Sequence, residues 1–244
     1  MPIKIYKPVG LTPVELIRKY KEENCINEKV SFAGRLDPMA HGEMILLQGD
    51  ECKQQDSYCG RDKIYEFKIL YGFHTDTLDI LGISEKKNPP KNVSIANLKG
   101  EYLQPYPLYS SKTISWNFYK NNVMNSVECK KVPLWKCASY SEFDESMIPI
   151  KKINIYELDK IGEEQYDNNI LLEMIVNKIS LLSEEYRERF RYSNIKSLWE
   201  TNLEAENMFK MENYRAKVSS GTYIRSLCKR MGGIAYDIKR VAIL

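Results

Sequence analysis

Histidine is scarce in this chain: His41 and His74 are the only two in 244 residues. Six cysteines are present, but no two of them have the C-x-x-C spacing of metal and redox motifs. Structural zinc sites combine cysteine and histidine at such spacings, so we expect no metal site. The cysteines are expected to be reduced thiols of an intracellular protein, with the cytoplasm favoured over the nucleus or an organelle.

Long apolar stretches are also missing. No run reaches the roughly 18 residues that a membrane-spanning helix needs, and lysines interrupt the apolar residues of segment 1–7, unlike a signal peptide. The composition is 43% hydrophobic and 28% charged, which predicts a soluble single domain over 1–244. The net charge of +3 is compatible with a nucleic-acid partner but does not indicate one by itself.

Residue periodicity predicts several elements. Thr12-Pro13-Val14-Glu15 combines a capping box with a proline in the first turn and predicts a helix that ends near Asn24. Alternation of apolar and charged residues over 63–71 predicts a half-buried strand. Weaker patterns predict strands at 44–47, 153–158, 169–177 and 214–218 and a short helix at 94–99. The clearest prediction is a final helix at 224–231, because Ile224, Leu227, Cys228 and Met231 fall at i, i+3, i+4 and i+7.

The predicted elements do not alternate as strictly as in a parallel α/β fold. We therefore predict an α+β fold, with a mixed, mostly antiparallel sheet flanked by helices. Residues 183–212 are strongly charged and predicted to be helical. They have the character of an insertion between two strands.

The segment Gly34-Arg35-Leu36-Asp37-Pro38 contains the first candidate for chemistry. A proline biases the residue before it toward extended backbone, so Asp37 is expected on a stiff, exposed bend. Gly34 and Gly42 on either side would let a substrate approach closely. An ordinary Asp-Pro turn explains the same pattern.

Arg225 is the second candidate because it falls in the first turn of the last predicted helix. The helix dipole disfavours a cation there, so an anionic partner is expected. If that partner is Asp37, the guanidinium would keep the carboxylate ionised and fix its orientation. A solvated arginine is the alternative. Tyr65 is either a core aromatic or a residue that stacks on a base.

Four separated segments, in this order along the chain, resemble the TruB family of tRNA pseudouridine synthases. They are Lys7-Pro8-x-Gly10; Gly34-Arg35-Leu36-Asp37-Pro38 with Gly42; Lys63-Ile64-Tyr65 with Gly72-x-x-Thr75-Asp76-Thr77-x-Asp79-x-x-Gly82; and Ser220-Gly221-Thr222-Tyr223-Ile224-Arg225. The resemblance implies the pseudouridine synthase fold. It also implies an isomerase that flips a T-loop uridine out of a tRNA and converts it to pseudouridine.

The resemblance assigns the catalytic roles. Asp37 is similar to the catalytic aspartate of the family, Tyr65 to the tyrosine that stacks on the target base, and Arg225 to the arginine that pairs with the aspartate. The reaction breaks the N1–C1′ bond of uridine and rejoins the base through C5, which needs no metal or cofactor. One carboxylate suffices, either as a nucleophile or by steering proton removal from the sugar.

The resemblance also implies substrate contacts. Tyr223 and Ile238 match positions that line the uridine pocket, and Lys7 matches a basic residue that supports the site. Residues 110–148 resemble the thumb that grips the stem-loop of the tRNA T-arm, which the protein is expected to bind as a monomer. The thumb carries basic and aromatic residues suited to RNA: Lys112, Lys120, Lys130, Lys131, Lys136, Trp116, Phe118, Tyr119 and Trp135.

The sequence departs from the family at four places near the site. Ser31-Phe32 stands where the family has Gly-His, and Phe32 is a candidate apolar wedge for base flipping. Arg35 and His41 replace small residues beside Asp37; either could contact phosphate, or His41 is simply a satisfied surface histidine. Ser139 stands where a thumb arginine is common.

The chain ends at Leu244, just after the last motif, so we expect no C-terminal PUA RNA-binding domain. The charged segment 183–212 would then partly replace that domain in binding RNA. Its basic residues are Arg187, Arg189, Arg191 and Lys196.

Three other functions fit parts of the sequence. The chain could be a non-catalytic RNA-binding or tRNA-folding factor that has kept the fold. It could be a pseudouridine synthase that acts on another RNA, including an RNA-guided one. Asp76 and Asp79 could form the carboxylate pair of a glycoside hydrolase, although their spacing is more typical of turn chemistry.

Overall fold

The computed structural model describes residues 2–88, 95–118, 128–140, 143–204 and 207–244, with the backbone alone at 116–118 and 128–130. The strands are β1 (Ile3–Lys7), β2 (Val30–Ala33), β3 (Ala40–Gln48), β4 (Lys63–Leu70), β5 (Phe73–Thr75), β6 (Ser84–Lys86), β7 (Gly100–Pro105), β8 (Thr113–Phe118), β9 (Glu128–Pro133), β10 (Ile150–Asp167), β11 (Met208–Val218) and β12 (Ile234–Ile243). The helices are α1 (Pro13–Glu23), α2 (Gln55–Cys59), α3 (Leu134–Cys137), α4 (Asn168–Ile179), α5 (Glu184–Arg187), α6 (Tyr192–Asn202) and α7 (Ile224–Arg230).

One large sheet organises the described part of the chain. Its strands follow the order β1-β3-β12-β4-β11-β10-β7, and β2 pairs with β3. The pairing of β12 with β3 is parallel, and the other pairings in this sheet are antiparallel. The predicted α+β class with a mixed, mostly antiparallel sheet is confirmed. The parallel contact brings the last strand beside the strand that follows Asp37.

The helix α1 begins as the capping box predicts. The Thr12 hydroxyl accepts a hydrogen bond from the Glu15 amide at 3.2 Å, and the Glu15 carboxylate accepts one from the Thr12 amide at 2.7 Å. Two otherwise unpaired amides at the helix start are thereby satisfied. The helix ends at Glu23, with Asn24 as its C-cap.

The core confirms the alternation predicted for β4. Tyr65, Phe67 and Ile69 are buried and pack with residues of β11 and α7. A second core joins α4 and α6 to the far ends of the same strands, with Trp199 at its centre. The sheet is therefore anchored by two sets of helices.

The strand predicted at 169–177 is wrong, because these residues form α4. Leu171, Ile175 and Ile179, spaced four apart, are its buried apolar residues. The Asp167 carboxylate caps the helix by accepting a hydrogen bond from the Ile170 amide at 2.9 Å. Six of the nine residues of this segment are apolar, and their positions fit both alternation and helical spacing. Length and the capping aspartate favour the helix.

The structure differs from the prediction in two further ways: one element boundary and one strand that was not predicted. The charged segment 183–212 contains α5 and α6, but its last residues, from Met208, already belong to β11. The strand β12, at the centre of the sheet, was not predicted. We call residues 168–204, which link β10 to β11, the helical connection.

Part of the predicted thumb forms the β8–β9 hairpin followed by α3. Tyr119 and Lys120, together with the side chains of Trp116, Phe118 and Lys130, lie outside the described residues. Within the described ranges, no helix has the length and apolar character needed to cross a membrane.

Candidate active site

Asp37 lies in the loop between β2 and β3, directly before Pro38. The Ala40 amide donates to the Asp37 carbonyl at 3.0 Å, and the Gly10 amide donates to the Pro38 carbonyl at 2.8 Å. The bend predicted from the Asp-Pro pair is present, and the Asp37 side chain is 29% exposed. The segment that follows β1 therefore supports the loop through the hydrogen bond from Gly10.

Lys7 completes that support. Its ammonium is buried and donates to the carbonyls of Pro8 at 2.9 Å, Ala40 at 2.6 Å and Pro38 at 3.4 Å. Burial lowers the pKa of Lys7 to about 7, although the Asp37 carboxylate acts in the opposite direction. Lys7 therefore fixes the backbone on both sides of the bend from behind.

Gly42 is needed for contact between strands. Its φ is +114°, and a Cβ at this position would lie 2.2 Å from the carbonyl oxygen of Arg240 in β12. The backbone that approaches Gly42 closely is therefore that of the neighbouring strand β12. The expectation that Gly42 makes room for a substrate does not explain why a glycine is needed here. Gly34 does border a cavity, next to the guanidinium of Arg240.

The predicted pair of Asp37 and Arg225 is formed. Arg225 is 3% exposed, and its Nε lies 2.8 Å from Asp37 Oδ2. Its other nitrogens donate to the carbonyls of Thr77 at 2.5 Å and Tyr109 at 3.1 Å. All of these partners are more than 100 residues away in sequence. The second oxygen of Asp37 has no hydrogen bond to the described residues and is free to face a substrate.

A second carboxylate, Asp79, shares this arginine. Its Oδ2 lies 3.7 Å from Arg225 Nε, and its Oδ1 accepts from the Thr77 hydroxyl at 2.7 Å and the Leu81 amide at 2.9 Å. Burial raises the pKa of Asp79, against the effect of Arg225. Burial also acts against the charge of Arg225, but the two carboxylates outweigh it and raise the pKa of Arg225.

Asp76 and Asp79 have the turn chemistry that their spacing indicates. Asp76 accepts from the Ile83 amide at 2.8 Å and pairs with Arg191 at 2.7 Å. Asp79 is 6% exposed and is occupied by its own loop. The geometry gives no support to a hydrolase pair.

A cavity of about 250 Å³ opens beside Asp37, and we call it the first cavity. Five further residues that the sequence proposed for the site line it with Asp37: Arg35, Tyr65 from β4, Tyr223, Arg225 from α7, and Ile238 from β12. These residues are separated by up to about 200 positions in the chain, and the sheet order brings them together.

Tyr223 is held firmly at the wall of the first cavity. Its amide donates to Gln104 Oε1 at 3.1 Å, and its ring packs edge-on against Tyr106 at 5.6 Å. Burial, together with the Asp37 carboxylate, raises the pKa of Tyr223 to about 12. The hydroxyl therefore stays protonated at neutral pH and is a hydrogen-bond donor.

Two buried cations also border the first cavity, and sequence reasoning missed both. Arg240 donates to the carbonyls of Glu43 at 2.7 Å and Gly34 at 2.8 Å. Lys63 donates to the carbonyl of Cys59 at 2.9 Å, and burial lowers the pKa of Lys63 to about 8. Lys63 falls inside a predicted strand, where a charged residue could have served as a signal, whereas Arg240 lies in β12, which was not predicted.

A second cavity, of about 600 Å³, shares Arg35, Asp37 and Arg225 with the first. It lies between the start of α1, the part of the thumb around α3, and the helical connection. Its further lining includes Trp135, Ser139, Tyr186, Arg189, Phe190 and Arg191. Asp37 thus lies where two cavities meet.

Other sequence candidates lie outside both cavities. The Phe32 ring packs against the core, with the guanidinium of Arg35 at 5.2 Å above it. Lys112 is exposed and stacks on Tyr106 at 5.1 Å, so it reaches Tyr223 only through that ring. Neither Phe32 nor Lys112 belongs to the lining of the cavities.

His41 has partners on both ring nitrogens. Nδ1 shares a hydrogen bond of 2.6 Å with the Tyr6 hydroxyl, and Nε2 lies 3.2 Å from Asp237 Oδ2. These contacts support the satisfied histidine over a phosphate ligand.

The basic residues of the charged segment 183–212 divide into two groups. Arg187 donates to the carbonyls of Ser180 and Leu182, and Lys196 pairs with Glu200. Arg189 and Arg191 line the second cavity. Arg187 and Lys196 therefore bind other parts of the protein, and only Arg189 and Arg191 of these four residues lie at a cavity.

Comparisons with known proteins identify the family of this chain. Residues 21–132 match the family described as TruB family pseudouridylate synthase, N-terminal domain. A protein of Caldanaerobacter subterraneus subsp. tengcongensis named tRNA pseudouridine synthase B is 30% identical, over 72% of this chain and 58% of that protein. A protein of the same name from Clostridium kluyveri is 26% identical, over 98% of this chain and 66% of its own length.

The fold has a solved counterpart. A chain in the crystal structure of a Cbf5-Nop10-Gar1 complex aligns with a TM-score of 0.50 and 14% identity, over 99% of this chain and 48% of that one. This chain spans less than two thirds of the length of each of these proteins. The sequence matches show that the chain belongs to the TruB family of pseudouridine synthases.

Proposed function

We propose that this protein is a tRNA pseudouridine synthase that converts a T-loop uridine to pseudouridine, with Asp37 as its catalytic residue. The observation that carries the proposal is the half-buried Asp37 carboxylate, paired at 2.8 Å with a buried arginine at the mouth of an aromatic-lined cavity. The names of the relatives support tRNA as the substrate.

The first cavity suits a flipped uridine. Tyr65 supplies an aromatic wall, Ile238 an apolar one, and Tyr223 a protonated hydroxyl. Flipping a base out of its stack costs a few kcal/mol, which stacking on a ring and hydrogen bonds in the pocket offset. The buried cations Lys63 and Arg240 border the same space.

Asp37 acts on the sugar of the bound uridine. Arg225 occupies Oδ2, so the carboxylate presents Oδ1 either as a nucleophile at C1′ or as the group that directs proton removal from the sugar. The N1–C1′ bond breaks, the base turns, and C5 bonds to C1′. C5 then gives up its proton and N1 gains one, so the atoms balance without any other reactant.

Replacing Asp37 by asparagine tests its assignment as the catalytic residue, and the same replacement at Asp79 serves as the control. Asp37→Asn should lower pseudouridine formation in a T-arm stem-loop at least about a thousandfold, because the reacting carboxylate is lost. Tritium release from C5-labelled uridine measures the product. Dissociation constants for the RNA should change about twofold at most.

Asp79→Asn is the matched control. The amide oxygen can still accept from Thr77 and Leu81, so turnover should stay within about tenfold of the wild type. Turnover retained by the Asp37 variant would refute the catalytic assignment. RNA binding without product in the wild type would favour a non-catalytic tRNA-binding factor.

A further inference from the structure

The second cavity is larger than a single flipped uridine requires, and the reaction proposed above does not use most of it. Asp37 and Arg225 form its border with the first cavity. Its lining also includes Trp135 of α3 and Tyr186 and Arg189 of the helical connection, and we call this part the connection side. The inference that follows rests on the proposed function and concerns what this side binds.

Two of the arginines that line the second cavity, Arg189 and Arg35, have no carboxylate partner among the described residues. Arg189 lies over the ring of Trp135 at 4.7 Å and near Tyr186 at 5.8 Å, and Arg35 lies over Phe32 at 5.2 Å. Within the described ranges, neither guanidinium forms an ion pair. Both side chains are exposed, so their N–H groups are available to an anion, and arginine is well suited to phosphate.

The neighbouring arginines of the same segment are occupied. Arg191 pairs with Asp76 at 2.7 Å and lies over Tyr109 at 4.9 Å. Arg187 donates to two backbone carbonyls. The free positive charge is therefore concentrated at Arg189 and Arg35.

The connection side carries an exposed aromatic surface. Trp135 is 39% exposed although it is a large apolar side chain, and Tyr186 is half-buried beside it. Aromatic rings next to unpaired arginines are the combination that binds single-stranded nucleotides, since the rings stack on bases and the arginines contact phosphates. The carboxylate of Asp37 disfavours a phosphate next to it, whereas the unpaired guanidinium groups of Arg189 and Arg35 favour one.

We infer that the second cavity holds the RNA nucleotide next to the target uridine, with Trp135 and Tyr186 stacking on its base and Arg189 and Arg35 contacting its phosphates. The two cavities meet at Asp37, so adjacent nucleotides of one strand can enter them together. The helical connection is then part of the RNA interface, through Arg189 in particular.

Binding measurements with altered protein and altered RNA test this inference. The variants are Arg189→Gln and Trp135→Ala, and the matched control is Lys196→Gln, which removes a charge from α6 away from the cavity. The probe is a synthetic T-arm stem-loop, intact or with an abasic residue at either nucleotide flanking the target. Fluorescence anisotropy at several salt concentrations gives the dissociation constants.

We expect Trp135→Ala to weaken binding of intact RNA about fivefold or more, because one stacking contact is lost. Arg189→Gln should reduce the slope of log K against log salt concentration by about 0.7, as for one lost phosphate contact. The effect of Trp135→Ala should vanish on one of the two abasic RNAs. Lys196→Gln should bind within about twofold of the wild type.

Two controls separate this result from misfolding. Trp135→Phe keeps an aromatic ring and should recover most of the affinity. Both altered side chains are exposed, so melting temperatures should stay close to that of the wild type.

Variants at Arg189 and Trp135 that bind like Lys196→Gln would overturn the inference. A loss from Trp135→Ala that stays the same on both abasic RNAs would overturn it too. If the wild type forms pseudouridine while these variants bind normally, only this inference fails. If the wild type forms no product but shows the expected abasic dependence, the proposed function fails and the nucleotide site stands.

Discussion

The two cavities that meet at Asp37 are built from different parts of the molecule. The first combines residues of β4, β12 and α7, which pack into the main core, with the loop that carries Asp37 and the loop that ends at Tyr223. The second is lined largely by loops, by α3 and by the helical connection. The residues that surround Asp37 in the proposed chemistry, Tyr65, Arg225 and Ile238, therefore lie on elements of the core, where they can be held accurately, and the proposed grip on RNA lies on connecting segments.

The charges of the two regions differ in the same way. Arg225, Lys63 and Arg240 are buried beside the first cavity, and protein carbonyls or carboxylates occupy them. Arg35 and Arg189 at the second cavity are exposed and lie on aromatic rings. Buried cations fix the framework, whereas exposed ones are available to a ligand. Four predictions test this comparison through protein stability.

The largest effect is expected at Arg225. Arg225→Gln leaves Asp79 buried without a cation and removes donors from two carbonyls, so unfolding free energy should fall by about 3–5 kcal/mol. Urea denaturation measures the change. Lys229→Gln, which removes an exposed charge from the same helix, is the control and should cost less than about 0.5 kcal/mol. Equal losses in both variants would contradict a rigid first cavity.

A pair of glycines tests the contact between β3 and β12. Gly42→Ala places a methyl group 2.2 Å from a β12 carbonyl, while Gly100, with a φ of +95°, has no described atom within 4 Å of the new Cβ. Gly100→Ala should cost about 1 kcal/mol of unfolding free energy from backbone strain alone. Gly42→Ala should cost at least about 2 kcal/mol more. Similar thermal melting of the two variants would rule out this tight contact.

Lys7 should make stability depend on pH. Its pKa of about 7 in the folded chain lies below the ordinary 10.5, so between these values the unfolded chain binds a proton that the folded chain has lost. The unfolding free energy therefore rises with pH across this window, by up to about 1 kcal/mol per unit. Lys7→Met removes this contribution. The pKa of Lys63 is also lowered, to about 8, but Lys63 is present in both proteins, so its effect cancels in the comparison.

Urea unfolding at pH 7, 8 and 9 measures the Lys7 effect. The stability difference between wild type and Lys7→Met should shift in favour of the wild type as pH rises. Parallel curves would show that the Lys7 ammonium keeps its proton in the folded protein.

The smallest loss of unfolding free energy is expected at the ion pair between Arg191 of the helical connection and Asp76. Arg191 and Asp76 are about one third exposed, so Arg191→Gln should cost less than about 1 kcal/mol. Calorimetric melting measures it, with Lys196→Gln as the control for loss of charge. A loss above about 2 kcal/mol would make the helical connection part of the rigid framework and break the contrast between the two regions.

Local signals in the sequence predicted some of this structure well. The capping box at Thr12 and Glu15 and the alternation through β4 depend on neighbouring residues, so they could be read directly. Segment 169–177 was wrongly predicted as a strand because its apolar residues fit both the two-residue period of a strand and the 3.6-residue period of a helix. β12 was missed, and the buried Arg240 in its middle departs from the apolar pattern of a central strand.

The sequence by itself determined which residues are available for chemistry: an aspartate held before a proline, a tyrosine in a strand, and an arginine at the start of the last helix. It could not determine that Asp37 and Arg225, 188 positions apart, lie within 2.8 Å. That contact depends on the parallel pairing of β12 with β3 and on the burial of Arg225. Long-range strand pairing and the exclusion of water are properties of the assembled sheet, so only the tertiary structure decided them.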